Sequence, residues 1–448
     1  MNIIEGGIDA PTRHPIDWAS PSFVDPQELD IEMRRQFDIC HSCRRCFNLC
    51  DSFPRLFDLI DNNEDELDGV QSQDFEFVVD GCTLCDMCFL TKCPYVPPHE
   101  FNIDFPHLML RYRVANKLNI AMKFRDKQIT EIDRNGKILS KISSIANWLS
   151  KKKNSIIRLL LEKIAGIHRK VELPKYHGTT FMVHAQSVEK PIINKKAPAY
   201  GRKAVIFATC YINFHNPSIG IAALKVLAHN GVDASVAYPE CCGMPQLEQG
   251  DIARTAEKAS SIAHFFRSYI ETGHTIITLV PSCTLLMKQE WPLIIPDNKD
   301  VQLLSQNVAD ISEYVVDISN SEGLADGLRP IDGPITLHHS CHSRAQNIGV
   351  KGAEMLRNIP ESKVHVIERC SGHGGSWGVK KTNFPLAAKF AKKTTTKLIA
   401  NTPAFMCSEC PLAGKHLLQT LEDQHNSKDH KLTKSSHPIE LISEAYKL

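Results

Sequence analysis

The cysteines of this chain recur at fixed intervals, and those intervals constrain what the backbone around them can do. Residues 82–94 read Cys-Thr-Leu-Cys-Asp-Met-Cys-Phe-Leu-Thr-Lys-Cys-Pro, so Cys82, Cys85 and Cys88 stand three apart and Cys93 directly precedes Pro94. A loop with thiolates at i, i+3 and i+6 wraps three corners of an iron–sulfur cube, and a fourth cysteine redirected by proline points to a different cube. Four residues separate Cys88 from Cys93, one more than the usual run has. Cys40, Cys43, Cys46 and Cys50 repeat the spacing with three residues before the last cysteine, and Asp51 stands where the proline would be.

Two such runs are the ligation pattern of two-cluster ferredoxins, in which the fourth cysteine of each run serves the other cluster. The expectation is two [4Fe-4S] clusters. One would be held by Cys40, Cys43, Cys46 and Cys93, the other by Cys82, Cys85, Cys88 and Cys50. Paired zinc knuckles also use Cys-x-x-Cys, but zinc closes its shell with four ligands and has no use for a third evenly spaced cysteine. The chain has 16 cysteines in 448 residues. That is too sparse for a disulfide scaffold and too clustered for chance, so they read as metal ligands in a reducing compartment.

Charge excludes little. The formal net charge is +1, which argues for no nucleic-acid partner. The first ten residues lack a basic n-region and an apolar h-region, so no signal peptide is expected. No stretch supplies the roughly 20 apolar residues of a membrane span. The expected location is the cytoplasm, with peripheral contact at the cytoplasmic face of the inner membrane.

The chain divides into five parts: a loose N-terminal arm (1–31, with prolines at 11, 15, 21 and 26), a mainly helical two-cluster ferredoxin unit (32–115), a basic amphipathic helical linker (116–200), and two cysteine-rich repeats (201–325 and 326–448). Between the cysteine runs, residues 56–81 carry nine acidic and no basic residues. This is a solvated segment or a docking face for a partner. Residues 96–113 are expected as the helix closing the ferredoxin unit. Residues 137–175 hold ten Lys or Arg against Glu162 and Glu172 alone. Ile138, Ile142, Ile145, Trp148 and Leu149 share one helical face, and Ile156, Leu160, Ile164 and Ile167 share another. Such helices lie in a membrane interface or pack their apolar faces on other domains.

From residue 204 the pattern changes to strand, helix, strand. Apolar runs at 204–208, 232–237 and 275–280 end at Cys210, at Cys241-Cys242-Gly243 and at Cys283, with helices at 217–229 and 252–270 between them. This implies a parallel α/β sheet with the cysteines at the ends of strands, where open sheets bind ligands. A second set follows: 335–338 near Cys341, 364–367 before Cys370-Ser371-Gly372, and 405–406 ending at Cys407, with Cys410 three residues on. Cys210 is matched to Cys341, Cys241 to Cys370 and Cys283 to Cys407. The expected fold is therefore an α+β and α/β multidomain chain, a helical ferredoxin unit followed by two repeats with parallel sheets.

Cys210, Cys241-Cys242-Gly243 and Cys283, with residues 210–217, 241–245, 378–385 and His437-Pro438-Ile439, resemble the CCG cysteine-rich iron–sulfur oxidoreductases, the heterodisulfide reductase-related proteins. The resemblance implies electron transfer and, in disulfide-reducing members, a non-cubane [4Fe-4S] cluster at the CCG motif. On this reading Cys241 and Cys242 carry the redox chemistry. Cys210, Cys283, Cys341, Cys370, Cys407 and Cys410 are further candidate ligands of a third iron–sulfur cluster at the repeats. Ser371 replaces the second cysteine of the pair in the second repeat, and Leu286 lies three after Cys283, so neither repeat offers five thiols. His338, His339, His342 and His373 sit at the second crest, as iron ligands, as proton relays to a quinone, or as hydrogen-bonding residues of the loops.

No Gly-x-Gly-x-x-Gly opens a strand–helix turn, so no nucleotide site is argued and hydride chemistry would fall to a partner. The reading is an electron-transfer subunit of an oxidoreductase complex in anaerobic respiration, passing electrons from a flavoprotein dehydrogenase to a quinone or similar acceptor. Two alternatives stand beside it: a heterodisulfide reductase-like enzyme acting at the CCG cluster, and a non-enzymatic metal-binding protein.

Overall fold

Each apolar period in the sequence becomes an element in the computed structural model, which describes residues 10–91, 93–119, 124–187, 191–424 and 432–448. The N-terminal part is helical: α1 (Pro26–Cys43), α2 (Ser52–Asp61) and α3 (Phe105–Asn119). Leu29, Met33 and Phe37 repeat every four residues along α1 and are buried, because that spacing places them on one face. Phe37 meets Phe75 edge-on at 5.1 Å, and Phe53 stacks on Phe105 at 4.6 Å. Asp25 starts α1 by accepting the Gln27 and Glu28 amides. The helix therefore runs straight through position 31, where the arm was expected to end.

The arm is not loose. The Thr12 amide donates to Pro97 O at 3.0 Å, the Ile16 amide to Leu293 O at 2.8 Å, and Trp18 Nε1 to Ile294 O at 2.7 Å. A proline-rich strap has few amides of its own to satisfy, and here it spends them on two other parts of the chain. The closing helix also differs from expectation. It begins at Phe105, and 96–104 is a series of turns, since Pro97 and Pro98 supply no amide hydrogens to a helix.

The linker forms α4 (Phe124–Thr130), α5 (Ile132–Lys141), α6 (Ser143–Ser150) and α7 (Ser155–Ala165). The expected single face from Ile138 to Leu149 is broken at Ile142, which lies between two helices. The first end of the linker is tied to the first repeat: Glu131 pairs with Arg254 at 2.5 Å, and a Cβ on Gly136 would come within 2.3 Å of the Phe214 ring. The far end is tied to the second repeat, with the His168 amide on Val379 O at 2.9 Å and the Lys381 amide on Gly166 O at 2.7 Å. Arg158 is buried beneath this join and donates to the Arg169 and Val171 carbonyls at 3.1 and 2.7 Å. Among the described residues no helix is long and apolar enough to cross a membrane.

The repeats build two four-stranded parallel sheets of the same order. The first lobe holds β1 (Lys203–Phe207), α8 (Pro217–His229), β2 (Asp233–Ala237), α9 (Ile252–Glu271), β3 (His274–Thr278), β4 (Val308–Asp310) and α10 (Ile311–Ser321). The second holds β5 (Ile335–His338), β6 (Val364–Ile367), α11 (Phe384–Ala400), β7 (Phe405–Ser408), α12 (Pro411–Gln424), β8 (Ser435–Ser436) and α13 (Pro438–Ala445). The orders are β2-β1-β3-β4 and β6-β5-β7-β8. Strand order reverses between β1 and β3, and again between β5 and β7, which opens a crevice at the strands' C-terminal ends. The near-continuous apolar strands are what a sheet covered on both faces requires. The lobes are joined through α8, which packs against α13.

Candidate metal centres

The two cysteine runs fold so that their thiols meet. Cys40 and Cys43 ride on the last turns of α1, and Arg44 leaves the helix in the left-handed region at φ 51°. In the second run Leu84 and Asp86 adopt φ of 49° and 60°, a costly conformation for residues with a Cβ. It bends the loop so that Cys82, Cys85 and Cys88 turn inward together. The Cys40 thiol is pushed well above its ordinary value, first by burial and then by the charges of Cys93, Cys46 and Cys43. Cys50 is raised by burial and by Cys85 and Cys82, and Cys88 by burial and by Cys85, Cys82, Cys50 and Cys46. The fourth cysteine of each run thus lies in electrostatic reach of the other run's three.

Backbone amides are aimed at these sulfurs. The Leu84 amide lies 3.5 Å from Cys82 Sγ; Ser52 and Phe53 serve Cys50, Met87 serves Cys85, and Tyr95 and Val96 serve Cys93. Buried thiolates with amide donors are the surroundings that tune iron–sulfur clusters. The donor set therefore fits two such clusters. Among the described residues no three Cys, His, Asp or Glu converge as they would on a single metal ion.

The lobes present a second set of thiols. Thr209 and Ser340 are equivalent caps whose side chains accept amides of the following turns, and Cys210 and Cys341 directly follow them. Cys241 Sγ lies 3.7 Å from Cys210 Sγ, and Cys242 Sγ lies 3.3 Å from Cys283 Sγ. Gly243 and Gly372 turn the two crest loops at φ 94° and 74°. A Cβ on Gly372 would fall 2.2 Å from Ala387 O, so that loop lies directly on α11. The linker reaches this crest: Asp133 of α5 accepts the Cys241 amide at 3.0 Å and the Tyr238 hydroxyl, and lies 3.4 Å from Lys258 Nζ.

One expected match is corrected. Cys407 does not lie beyond a strand but inside β7, fully buried and in register with Leu337. Ile276 pairs with Val308 and Met406 with Ser435, while Asp310 and His437 cap the helices that follow β4 and β8. Counting from those caps, Cys407 corresponds to Ile277, a core residue. Pro281 and Pro411 then coincide as the first residues of the helices after β3 and β7. Val280 therefore occupies the place of Cys410, and Ala413 the place of Cys283. Each lobe keeps one member of what was a Cys-Pro-x-Cys pair. The shared proline was the signal in the sequence, and cysteine spacing alone overlooked it.

The two sets of thiols meet around one cavity of about 1050 Å³, lined among others by Cys50, Cys85, Cys210, Cys242, Cys341 and Cys370. Cys85 is pushed up to about 12 by burial, with Cys370 and Cys82 adding to it and the Met87 amide opposing. Cys341 is raised by burial and by Cys85, Cys370 and Cys410. Cys283 is lowered by its contact with Cys242 but raised more by burial and by Cys210, Cys241 and Cys410. The cysteines form a continuous series from the first run, through the second run and the second lobe, to the Cys241-Cys242 pair.

Leu139, Leu149, Leu161 and Ile164 of the linker roof this cavity. On the other side of the same helices Ile138, Ile145, Trp148 and Ile156 are 54, 58, 53 and 82% exposed. The roof is apolar on both faces. The crest histidines are largely engaged elsewhere. His338 bonds Ser408 Oγ at 3.0 Å and the Arg369 carbonyl at 2.9 Å, His339 pairs with Glu409 at 2.8 Å, and His342 Nε2 lies 3.4 Å from Leu84 O. His373 lines the cavity.

Residues 204–288 match the model of the CCG cysteine-rich domain family. The chain is 25% identical over 264 residues to an iron–sulfur relative from Escherichia coli (strain K12), one of the subunits of anaerobic glycerol-3-phosphate dehydrogenase, covering 58% of this chain and 64% of that protein. It is 26% identical over 229 residues to one of the subunits of the CoM/CoB fumarate reductase of Methanothermobacter marburgensis, covering 50% of this chain and 43% of the relative. An iron–sulfur protein of Methanococcus maripaludis is 26% identical over 250 residues, 54% of this chain and 46% of that one. The chain spans less than two-thirds of the length of each of these relatives.

Proposed function

From a chain that carries a CCG cysteine-rich domain and is similar to subunits of redox enzymes, we propose an iron–sulfur electron-transfer subunit that takes electrons from a redox partner and delivers them to a quinone-type acceptor. The observation that carries this reading is the unbroken series of thiols ending at an apolar cavity. Cys40, Cys43, Cys46 and Cys93 hold one [4Fe-4S] cluster, and Cys82, Cys85, Cys88 and Cys50 the other, in a two-cluster ferredoxin arrangement. Cys341, Cys370 and Cys410, and Cys210, Cys241, Cys242 and Cys283, line the crest where a third cluster binds. Cys407 is left out of the ligand set because it is a strand-core residue. Bound clusters supply one-electron steps, and the chain's own residues fix the thiolates, exclude water and donate amides to sulfur.

The acceptor is lipophilic because the cavity and its roof are. The exposed apolar face of α5 to α7, flanked by Lys151, Lys152 and Lys153, rests on an anionic membrane surface, where such a molecule would enter. The donor is a flavoprotein subunit, since the chain carries no nucleotide motif of its own. A second reading is a disulfide reductase acting at Cys241-Cys242, favoured by the paired thiol contacts at 3.7 and 3.3 Å within a roomy cavity. The test is iron and sulfide analysis with paramagnetic resonance of the full chain purified without oxygen. Two cubane signals and additional iron assigned to the crest are expected. A zinc-only protein would overturn the reading, and turnover of a disulfide with a reduced mediator would select the reductase.

A further inference from the structure

Arg13 stands where three parts of the chain meet. Its guanidinium bonds Asp86 in the second cysteine loop at 2.7 Å, Asp104 ahead of α3 at 2.9 Å, and Glu290 of the first lobe at 2.7 Å. It also covers the Phe89 ring at 4.4 Å. His107 closes the group, with Nε2 3.0 Å from Glu290 and Nδ1 3.2 Å from Asp104. The side chains of Arg13, Asp86 and Glu290 are only 10, 6 and 6% exposed. Glu290 ends a π-helical turn, Leu286–Glu290, an irregularity found most often at functional sites.

This buried group lies beside both sets of ferredoxin-type thiols. Asp86 sits between Cys85 and Cys88 in the sequence, and its charge raises the thiols of Cys82 and Cys85. Asp104 raises those of Cys82 and Cys93. Three carboxylates are set against one guanidinium and one imidazole. An electron added to a nearby cluster adds negative charge, so uncompensated carboxylates oppose reduction and a fixed cation favours it.

We propose that Arg13 is a positioning residue that sets the reduction potential of the cluster at Cys82, Cys85, Cys88 and Cys50, by offsetting Asp86 and by fixing the cysteine loop against Glu290. This rests on the iron–sulfur assignment of those cysteines. Local charge is one of the protein's levers on such potentials. Here the lever is held by a residue some 70 positions away in the sequence, as the separation of 73 between Arg13 and Asp86 shows.

The test is a redox titration of the full-length protein, prepared without oxygen and followed by paramagnetic resonance. In Arg13→Gln one cubane should become at least tenfold harder to reduce, a fall of about 59 mV for one electron. Asp86→Asn should move the same signal upward, and the double variant should return toward wild type. Arg13→Lys, which keeps the charge, should stay closer to wild type than Arg13→Gln. The proposal is overturned if both single variants shift the signal the same way, or if Arg13→Gln retains its iron with both potentials unchanged. Should Arg13→Gln lose iron, an unshifted Asp86→Asn overturns the proposal and an upward shift supports it. A wild-type protein without two cubane signals overturns the cysteine assignment and the proposal together.

Discussion

The thiols of the second lobe divide by a single structural fact: Cys410 faces the cavity, whereas Cys407 is buried in a strand. Cys410→Ser should therefore remove or alter the crest signal, because a serine oxygen is a harder donor than thiolate. Cys407→Ser should leave that signal intact and instead lower stability by roughly 1–3 kcal/mol, the cost of a polar group without a partner in the core. Paired spectra and urea titrations of the two variants check both expectations, and the reverse pattern would return Cys407 to the ligand set. At this scale the cysteine runs were fully legible, since three thiols at intervals of three leave little choice of chemistry. Cys407 was misread because the sequence shows spacing but not which way a strand residue points. Arg13 was illegible for a different reason: its three partners lie far along the chain, and nothing local distinguishes it from a surface arginine.

Among the elements, the two caps that follow β4 and β8 are equivalent in place and opposite in charge. Asp310 accepts the Ser312 amide at 2.9 Å, and Glu313 reaches back to its amide at 3.2 Å. His437 accepts the Ile439 amide at 3.2 Å, and Glu440 answers at 2.9 Å. Burial, reinforced by Glu409, pushes Asp310 from 3.8 up to about 7. Its folded value is raised, so its contribution to stability is complete below about pH 4 and lost as pH rises through about 7. Asp310→Asn keeps an acceptor for the cap and removes the charge. It should gain on wild type by up to about 4 kcal/mol between pH 4 and 8, read from urea unfolding at several pH values; a constant difference would contradict the assignment. His437 works at the other end, since burial lowers it from 6.5 to about 4. Its contribution is present above about pH 6.5 and lost as pH falls toward 4.

The linker helices offer a second expectation at this scale. Replacing Ile138, Ile145 and Ile156 by serine should abolish flotation with anionic vesicles while changing stability little, because these side chains are exposed and exposed sites seldom matter to stability. Wild-type binding should weaken with salt, and a wild type that never floats would remove the membrane from the account. The six longer strands of the lobes were legible as apolar runs. β4 and β8 were not, because three residues and two serines carry no period to detect.

For the whole molecule, the pseudo-twofold pair of sheets follows from repetition in the sequence, but the placing of the ferredoxin-type unit does not. The structure sets Cys85 beside Cys370 and Cys341, so the second lobe, which has lost two of its cysteine positions, stands nearest the helical unit. The arm, the roof and both crests close around one cavity. No periodicity announces that arrangement, since it depends on contacts hundreds of residues apart. The central claim is that electrons leave the ferredoxin-type thiols only by way of the crest. It is tested most directly by reducing the full-length protein, mixing it with a short-tailed quinone, and freezing samples at successive times for paramagnetic resonance. In wild type the two cubane signals should vanish as the quinone is consumed. In Cys242→Ser, with both cubanes present, they should persist. Equal decay in the two proteins would contradict the account, because electrons would then reach the acceptor without the crest.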